Sequence, residues 1–175
     1  MDCESNVRFS TLLSDLHFIV YTDAALGNLS DGVSSPAGIL VFLSDGVKHS
    51  CPLSWRANKI RRVVRSTLAA ETLALQEGID EALYLQRLFT ELMPSQKFPI
   101  DVYTDNQGVV DALCSTKLVD DRRLRLDMGS LRQTFERDVR KLVWIPSSLN
   151  LANCLTKKGA CSNELLQVFH SGKFL

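Results

Sequence analysis

The sequence lacks any apolar run near the ~18 residues that a membrane-spanning helix needs, so no membrane partner is expected. It also lacks the basic-then-apolar opening of a secretory leader, because Met1 to Asn6 carries Asp2 and Glu4. There is no C-x-x-C pair, and the five cysteines (Cys3, Cys51, Cys114, Cys154, Cys161) are odd in number. That count argues against a disulfide framework or a zinc knuckle. It favours thiols in a reducing, intracellular compartment, cytoplasm or nucleus, over secretion. Charge of one sign is missing too: 20 Lys and Arg balance 20 Asp and Glu, for a formal net charge of +0. Such a balance argues against a disordered tail or a uniformly basic DNA coat, while leaving room for local clusters. No repeat or low-complexity tract is visible. What is present is an ordinary globular composition, 45% hydrophobic and 23% charged over 175 residues. That length suits one domain that buries roughly 70% of its unfolded surface.

Residues 1–16 show no period and read as a lead-in or linker, with the domain at 17–175. His17 to Thr22 (HFIVYT) is short, β-branched and aromatic, and predicts a buried strand with Asp23 at its carboxyl end. Asn28 to Pro36 reads as a turn-rich loop and Ala37 to Leu43 as a second strand. Asp45-Gly46 signals a hairpin, followed by a third strand over Val47 to Trp55. Ser66 to Leu92 holds no proline and recurs apolar at steps of three and four. It predicts a helix of about 27 residues, roughly 40 Å long, stopped by Pro94. Ile100 to Thr104 predicts a fourth strand ending at Asp105, Asn106 to Ser115 a short helix, and Leu124 to Arg137 another helix. Lys141 to Pro146 predicts a fifth strand, and Leu149 to Lys157 and Asn163 to His170 two short helices. The order β-β-β-α-β-α-α-β-α indicates an α/β fold with a five-stranded mixed sheet flanked by helices. Trp55 and Trp144 fall on strand-like runs and are expected in the core.

Three acids occupy suggestive places. Asp23 and Asp105 end strands, and ligands of α/β sheets gather at strand carboxyl ends. Glu71 lies near the start of the long helix. If the three converge, their mutual repulsion calls for a cation, and hard oxygen donors select Mg²⁺ or Mn²⁺. Two such ions about 4 Å apart make a phosphodiester-cleaving centre. Each acid also has a plain alternative. Asp105 before a helix can be an N-cap, Asp23 before a loop a turn residue, and Glu71 a solvated helix side chain.

Four runs lift the reading above the single acids. They are Val20-Tyr-Thr-Asp-Ala-Ala, Arg61-Arg-Val-Val-Arg-Ser-Thr-Leu-Ala-Ala-Glu-Thr-Leu-Ala-Leu, Tyr103-Thr-Asp-Asn-Gln-Gly, and Ile145-Pro-Ser-Ser-Leu-Asn-Leu-Ala-Asn-Cys-Leu-Thr-Lys. In this order they resemble the ribonuclease H domain of Ty1/copia-type retrotransposon Pol polyproteins, from about residue 17 onward. The resemblance implies a ribonuclease H-like fold and two Mg²⁺ (or Mn²⁺) ions. It also implies cleavage of the RNA strand of an RNA–DNA hybrid, leaving 5′-phosphate and 3′-hydroxyl ends, and an upstream reverse transcriptase domain as partner. Its catalytic and metal-binding acids carry over to Asp23, Glu71 and Asp105. The fourth falls on Asn153, where the family typically has Asp. By resemblance, the first and fourth acids hold the ion that activates the attacking water, so Asn153 weakens that ion's shell by one charge. Either Asn153 inactivates the domain while leaving hybrid binding intact, or the enzyme tolerates it with slow turnover. A third possibility is a purely structural role beside the reverse transcriptase. The loop before the last helix of cellular ribonucleases H carries a histidine. Pro146 to Ala152 has none, and His17, His49 and His170 read as structural or surface residues.

For the nucleic acid, Arg56, Lys59, Arg61, Arg62 and Arg65 form a cationic segment with no acid among them, immediately before the helix of Glu71. A basic loop there suits a phosphate backbone. Asn106 and Gln107 are placed to reach sugar or base edges, or to cap the helix that follows. Recognition of the hybrid would be by shape and 2′-OH contacts. Arg122, Arg123 and Arg125 are flanked by Asp120, Asp121 and Asp127 and read as a mixed surface patch.

Overall fold

The computed structural model describes residues 12, 15–47, 49–115, 119–157 and 159–174. Most of the lead-in lies outside them, but Leu12 and Leu16 pack against the core. Five strands form one sheet in the order β3-β2-β1-β4-β5. They are β1 (His17–Ala24), β2 (Pro36–Ser44), β3 (Ser50–Lys59), β4 (Ile100–Thr104) and β5 (Val139–Trp144). β1 pairs antiparallel with β2 and parallel with β4, β2 pairs antiparallel with β3, and β4 pairs parallel with β5. The mixed five-stranded sheet is the predicted one.

β1 and β2 are buried along nearly their whole length, which requires cover on both faces. α1 (Thr67–Leu92) lies on one face with α2 (Gln107–Cys114) and α3 (Arg122–Asp138), around Phe18, Val20, Ile39, Leu75, Ile79 and Leu131. α4 (Asn153–Thr156) and α5 (Asn163–Ser171) cover the other face around Ile19, Leu40, Phe42, Val168 and Phe169. α1 starts where the Ser66 side chain accepts the Ala69 amide, an N-cap that satisfies one of the orphan donors of the first turn. Its buried face sets small residues (Ala70, Thr72, Ala74, Gly78, Ala82) beside Leu75 and Ile79, and the backbone approaches the sheet closely at Gly78. A Cβ there would stand 2.6 Å from Thr22 Cγ2 and 3.1 Å from Val20 Cγ1. The glycine that interrupts the helical pattern therefore lets α1 sit directly on the central strand.

Several boundaries differ from the sequence expectation. β1 runs through Asp23 to Ala24, so Asp23 is a ladder residue opposite Gly38, not a turn residue. Pro36 opens β2 rather than closing a loop, at a strand-first position that tolerates proline. β3 starts later and runs on to Lys59, because its ladder with β2 continues through Ile39↔Arg56 to Pro36↔Lys59. Arg56 and Lys59 are therefore strand residues, not loop residues. The helix expected over Leu149 to Lys157 splits into a 3₁₀ turn (Ser147–Leu149) and the single turn of α4. Trp55 and Trp144 are not in the core: they are 49% and 45% exposed. Each sits on an edge strand, where Trp55 still meets the Phe169 ring of α5 at 5.4 Å. His17 is buried 3.8 Å from Asp101, His49 bonds Asp45, and His170 is exposed.

Candidate active site

The sheet order brings the acids together. Tyr21 of β1 lies opposite Tyr103 of β4 in parallel register. Asp23 and Asp105 each follow two residues later, so they leave neighbouring strands at the same level and on the same face. Glu71, on the first turns of α1, reaches the same strand end and accepts the backbone amide of Ala24. One ligand oxygen from each of Asp23, Glu71 and Asp105 can be chosen so that all lie within 4.8 Å of one another. Asp23 is 1% exposed and Glu71 5% exposed.

That burial has electrostatic consequences. Desolvation, and then the carboxylates of Asp23 and Asp105, push the Glu71 carboxyl up to about 8. Desolvation also raises Asp23, against hydrogen bonding from Thr156 and the charge of Lys157. Glu71 Oε2 is buried with no hydrogen-bond partner among the described residues, and an orphaned buried carboxylate oxygen is costly. Two buried carboxyls, one with an unmet lone pair and both with raised proton affinity, fit a hard divalent cation.

The segment after β5 supplies the frame. Asn150 is buried, and its Nδ2 donates to Thr22 O and to Asp105 Oδ1, both at 2.9 Å. Its Oδ1 accepts the Ala152 amide at 3.1 Å. The hydroxyl of Ser147 donates to Asp105 Oδ2, and that of Thr156 to Asp23 Oδ2. Trp144 Nε1 donates to the Asp105 carbonyl at 3.1 Å. α4 reaches the sheet because position 38 has no side chain. A Cβ on Gly38 would meet Leu155 Cβ at 2.8 Å and Ala152 O at 2.9 Å.

The structure sorts the other candidate residues. Asn153, at the start of α4, spends its amide locally: Nδ2 donates to the Ser147 carbonyl, and Oδ1 accepts from Lys157 Nζ. Asn106 is the N-cap of α2, accepting the Val109 amide at 3.1 Å, and Gln107 donates to Asp111 at 2.8 Å. Both side chains have intramolecular work. The cationic segment is not a united patch. Arg56 lies 3.8 Å from Glu77 and 3.7 Å from Glu81, and Lys59 is 3.3 Å from Asp31. Arg62 pairs with Asp127. Arg61 and Arg65 are exposed and form no ion pair among the described residues. Ile60, which precedes them, packs with Ala24 and Ala70, the neighbours of Asp23 and Glu71. The loop therefore starts at the rim of the acidic site.

Sequence reasoning missed Gly38, Asn150, Thr156 and Lys157. The last three lie in the run Ile145 to Lys157, within a few residues of the position already singled out. The short polar side chains of that run carried the available signal.

A mixed sheet in this order, with acids at the ends of β1 and β4 and on the crossing helix, defines the ribonuclease H-like class, and the solved structures agree. LC11-RNase H1, isolated from compost, is 23% identical with a TM-score of 0.57, covering 80% of this chain and 92% of that one. The N-terminal RNase H domain of a Mycobacterium tuberculosis protein is 18% identical at a TM-score of 0.56, covering 90% and 98%. LC11-RNase H1 in complex with an RNA/DNA hybrid also matches, at 22% identity, a TM-score of 0.55 and coverage of 79% and 93%.

The particular relatives are retroelement proteins. The chain is 30% identical over 139 residues to the retrovirus-related Pol polyprotein from transposon RE2 of Arabidopsis thaliana, matching 78% of this chain and 9% of that protein. It is 30% identical over 139 residues to the corresponding polyprotein from transposon TNT 1-94 of Nicotiana tabacum, matching 78% and 10%. The resemblance expected from the four runs is borne out, although the chain spans only about a tenth of the curated relatives it matches. No protein-family model matches it. No helix among the described residues is long and apolar enough to cross a membrane.

Proposed function

We propose that this chain is a ribonuclease H-type endonuclease domain that cleaves the RNA strand of RNA–DNA hybrids with Mg²⁺ or Mn²⁺. The observation that carries the reading is the convergence of Asp23, Glu71 and Asp105 around the unpartnered oxygen of Glu71. Those three residues would hold the ion. When bound, it supplies Lewis acidity to activate water and to neutralise charge on the scissile phosphate. The chain's own residues do the rest. Asn150 and Ser147 fix the rotamer of Asp105, Thr156 fixes that of Asp23, and the Ala24 amide orients Glu71. Arg61 and Arg65 stand at the rim to meet backbone phosphates. The hybrid as ligand is supported by the neighbour solved with one. A reverse transcriptase domain as neighbour in a longer polyprotein is supported by the Pol relatives.

A second reading, a hybrid-binding module without turnover, is favoured by one observation. Asn153, at the fourth acidic position, is engaged by Ser147 and Lys157. A cleavage assay on end-labelled hybrid in Mg²⁺ and in Mn²⁺, beside a gel shift on the same duplex, separates the readings. Cutting supports the first, a shift without cutting the second, and neither result overturns both.

A further inference from the structure

Lys157 is the feature of this site that the family reading does not absorb. Its Nζ lies 3.5 Å from Asp23 Oδ1 and donates to Asn153 Oδ1. It therefore bridges the first and fourth positions of the acidic set. Asp23 is almost fully buried, whereas the lysine side chain is 45% exposed. The ammonium thus enters from solvent to meet an anion that cannot turn away. Once Glu71 has released its proton, three carboxylates and one ammonium carry a formal charge of −2, which one divalent ion neutralises. Four carboxylates without the lysine would call for two ions.

Resting on the metal-dependent reading, we infer that the Lys157 ammonium is the resident cation of the Asp23–Asn153 side of the site. It competes there with a divalent ion for the Asp23 carboxylate, so the site takes one divalent ion. The physical basis is exchange. An ion that draws Asp23 into its shell must first displace Lys157, and the net affinity is reduced by the strength of that ion pair. An amide at position 153 leaves the lysine in place, because it accepts a hydrogen bond without adding a charge to attract a second ion.

Calorimetric titration of MnCl₂ into the metal-free protein tests this. Wild type is expected to take one Mn²⁺. Lys157→Met should bind it about tenfold tighter or more while melting at a lower temperature without metal, and Lys157→Arg should match wild type in both. A lysine with a merely structural role would lower the melting temperature without tightening Mn²⁺. Unchanged or weaker affinity in Lys157→Met, or two ions in wild type, overturns the inference and leaves the metal reading standing. No Mn²⁺ bound by any of the three proteins sinks the metal reading itself, and the inference with it. Should Lys157→Met fail to fold, ¹⁵N spectra of wild type replace it. The Lys157 ammonium resonance should shift in proportion to added Mg²⁺, and an ammonium signal indifferent to saturating Mg²⁺ overturns the inference.

Discussion

The acidic cluster and the basic segment behave in opposite ways. Asp23, Glu71 and Asp105 are far apart in sequence, yet the sheet order brings them within one ion's reach. Arg56, Lys59, Arg61, Arg62 and Arg65 are nearly contiguous, yet the fold disperses Arg56, Lys59 and Arg62 onto Glu77, Glu81, Asp31 and Asp127. Strand geometry accounts for both. Parallel register sets Asp23 beside Asp105, while extension of β3 turns Arg56 and Lys59 toward different neighbours. Burial then separates the energetics. Exposed ion pairs are worth little, whereas a buried carboxylate without a partner is costly and marks a place where a cation is expected.

The harshest test of that contrast is Asp105→Asn. Cleavage of the hybrid should fall by about 10³-fold or more, because one of three anionic donors is lost, while hybrid affinity stays within a few-fold. Retained turnover would mean that the convergence is incidental. The reverse change, Asn153→Asp, restores a charge at the fourth position and should raise Mg²⁺-dependent cleavage by about tenfold. Equal cleavage by the two forms would remove position 153 from the metal site.

A third test reads the electrostatic strain directly. In metal-free protein the Glu71 carboxyl is pushed up to about 8, against 4.5 for an ordinary glutamate. Between those values the unfolded chain has released this proton and the folded chain still holds it. By linkage, this group makes stability fall as pH rises across that window and level off above it. Glu71→Gln should remove the decline, leaving the variant more stable than wild type by on the order of 2 kcal/mol at pH 8 and by little at pH 5. Urea melts in chelator at the two pH values check this. An unchanged pH slope in the variant would show that the cluster is not strained.

The sequence was legible where physics is local. Short β-branched and aromatic runs predicted every strand, apolar steps of three and four predicted the long helix, and four ordered runs pointed to the acids. What stayed hidden depends on approach and partnership across the fold. The role of Gly38 appears only once α4 is seen pressing on β2, where a Cβ would collide with Leu155. Asn150 reads as one more polar residue until it is found tying the Thr22 carbonyl to Asp105. The exposure of Trp55 and Trp144 follows from their strands lying at the two sheet edges, which a list of strands does not reveal. The partners of the cations could not be assigned either, because Asp31, Glu77, Glu81 and Asp127 lie on other elements.

The smallest expected effects divide the basic segment itself. Arg61 and Arg65 are exposed and form no ion pair among the described residues, although Arg61 borders the cleft of Glu77 and Glu81 and Arg65 lies within electrostatic reach of Asp121. Each change to alanine should weaken hybrid binding a few-fold at physiological salt and reduce the slope of log affinity against log salt by about one. Arg56 is half-buried between Glu77 and Glu81, and binding a phosphate would mean giving up both partners. Arg56→Ala should leave the salt slope unchanged and cost less than about 1 kcal/mol of stability. The two kinds of variant carry the same formal charge change, so long-range field effects cancel between them, and the difference in slope reports direct phosphate contact alone. If Arg56→Ala lowers the slope as much as Arg61→Ala does, the ion pairs open when the hybrid arrives. The segment would then act as a united patch in the complex despite being divided in the free chain.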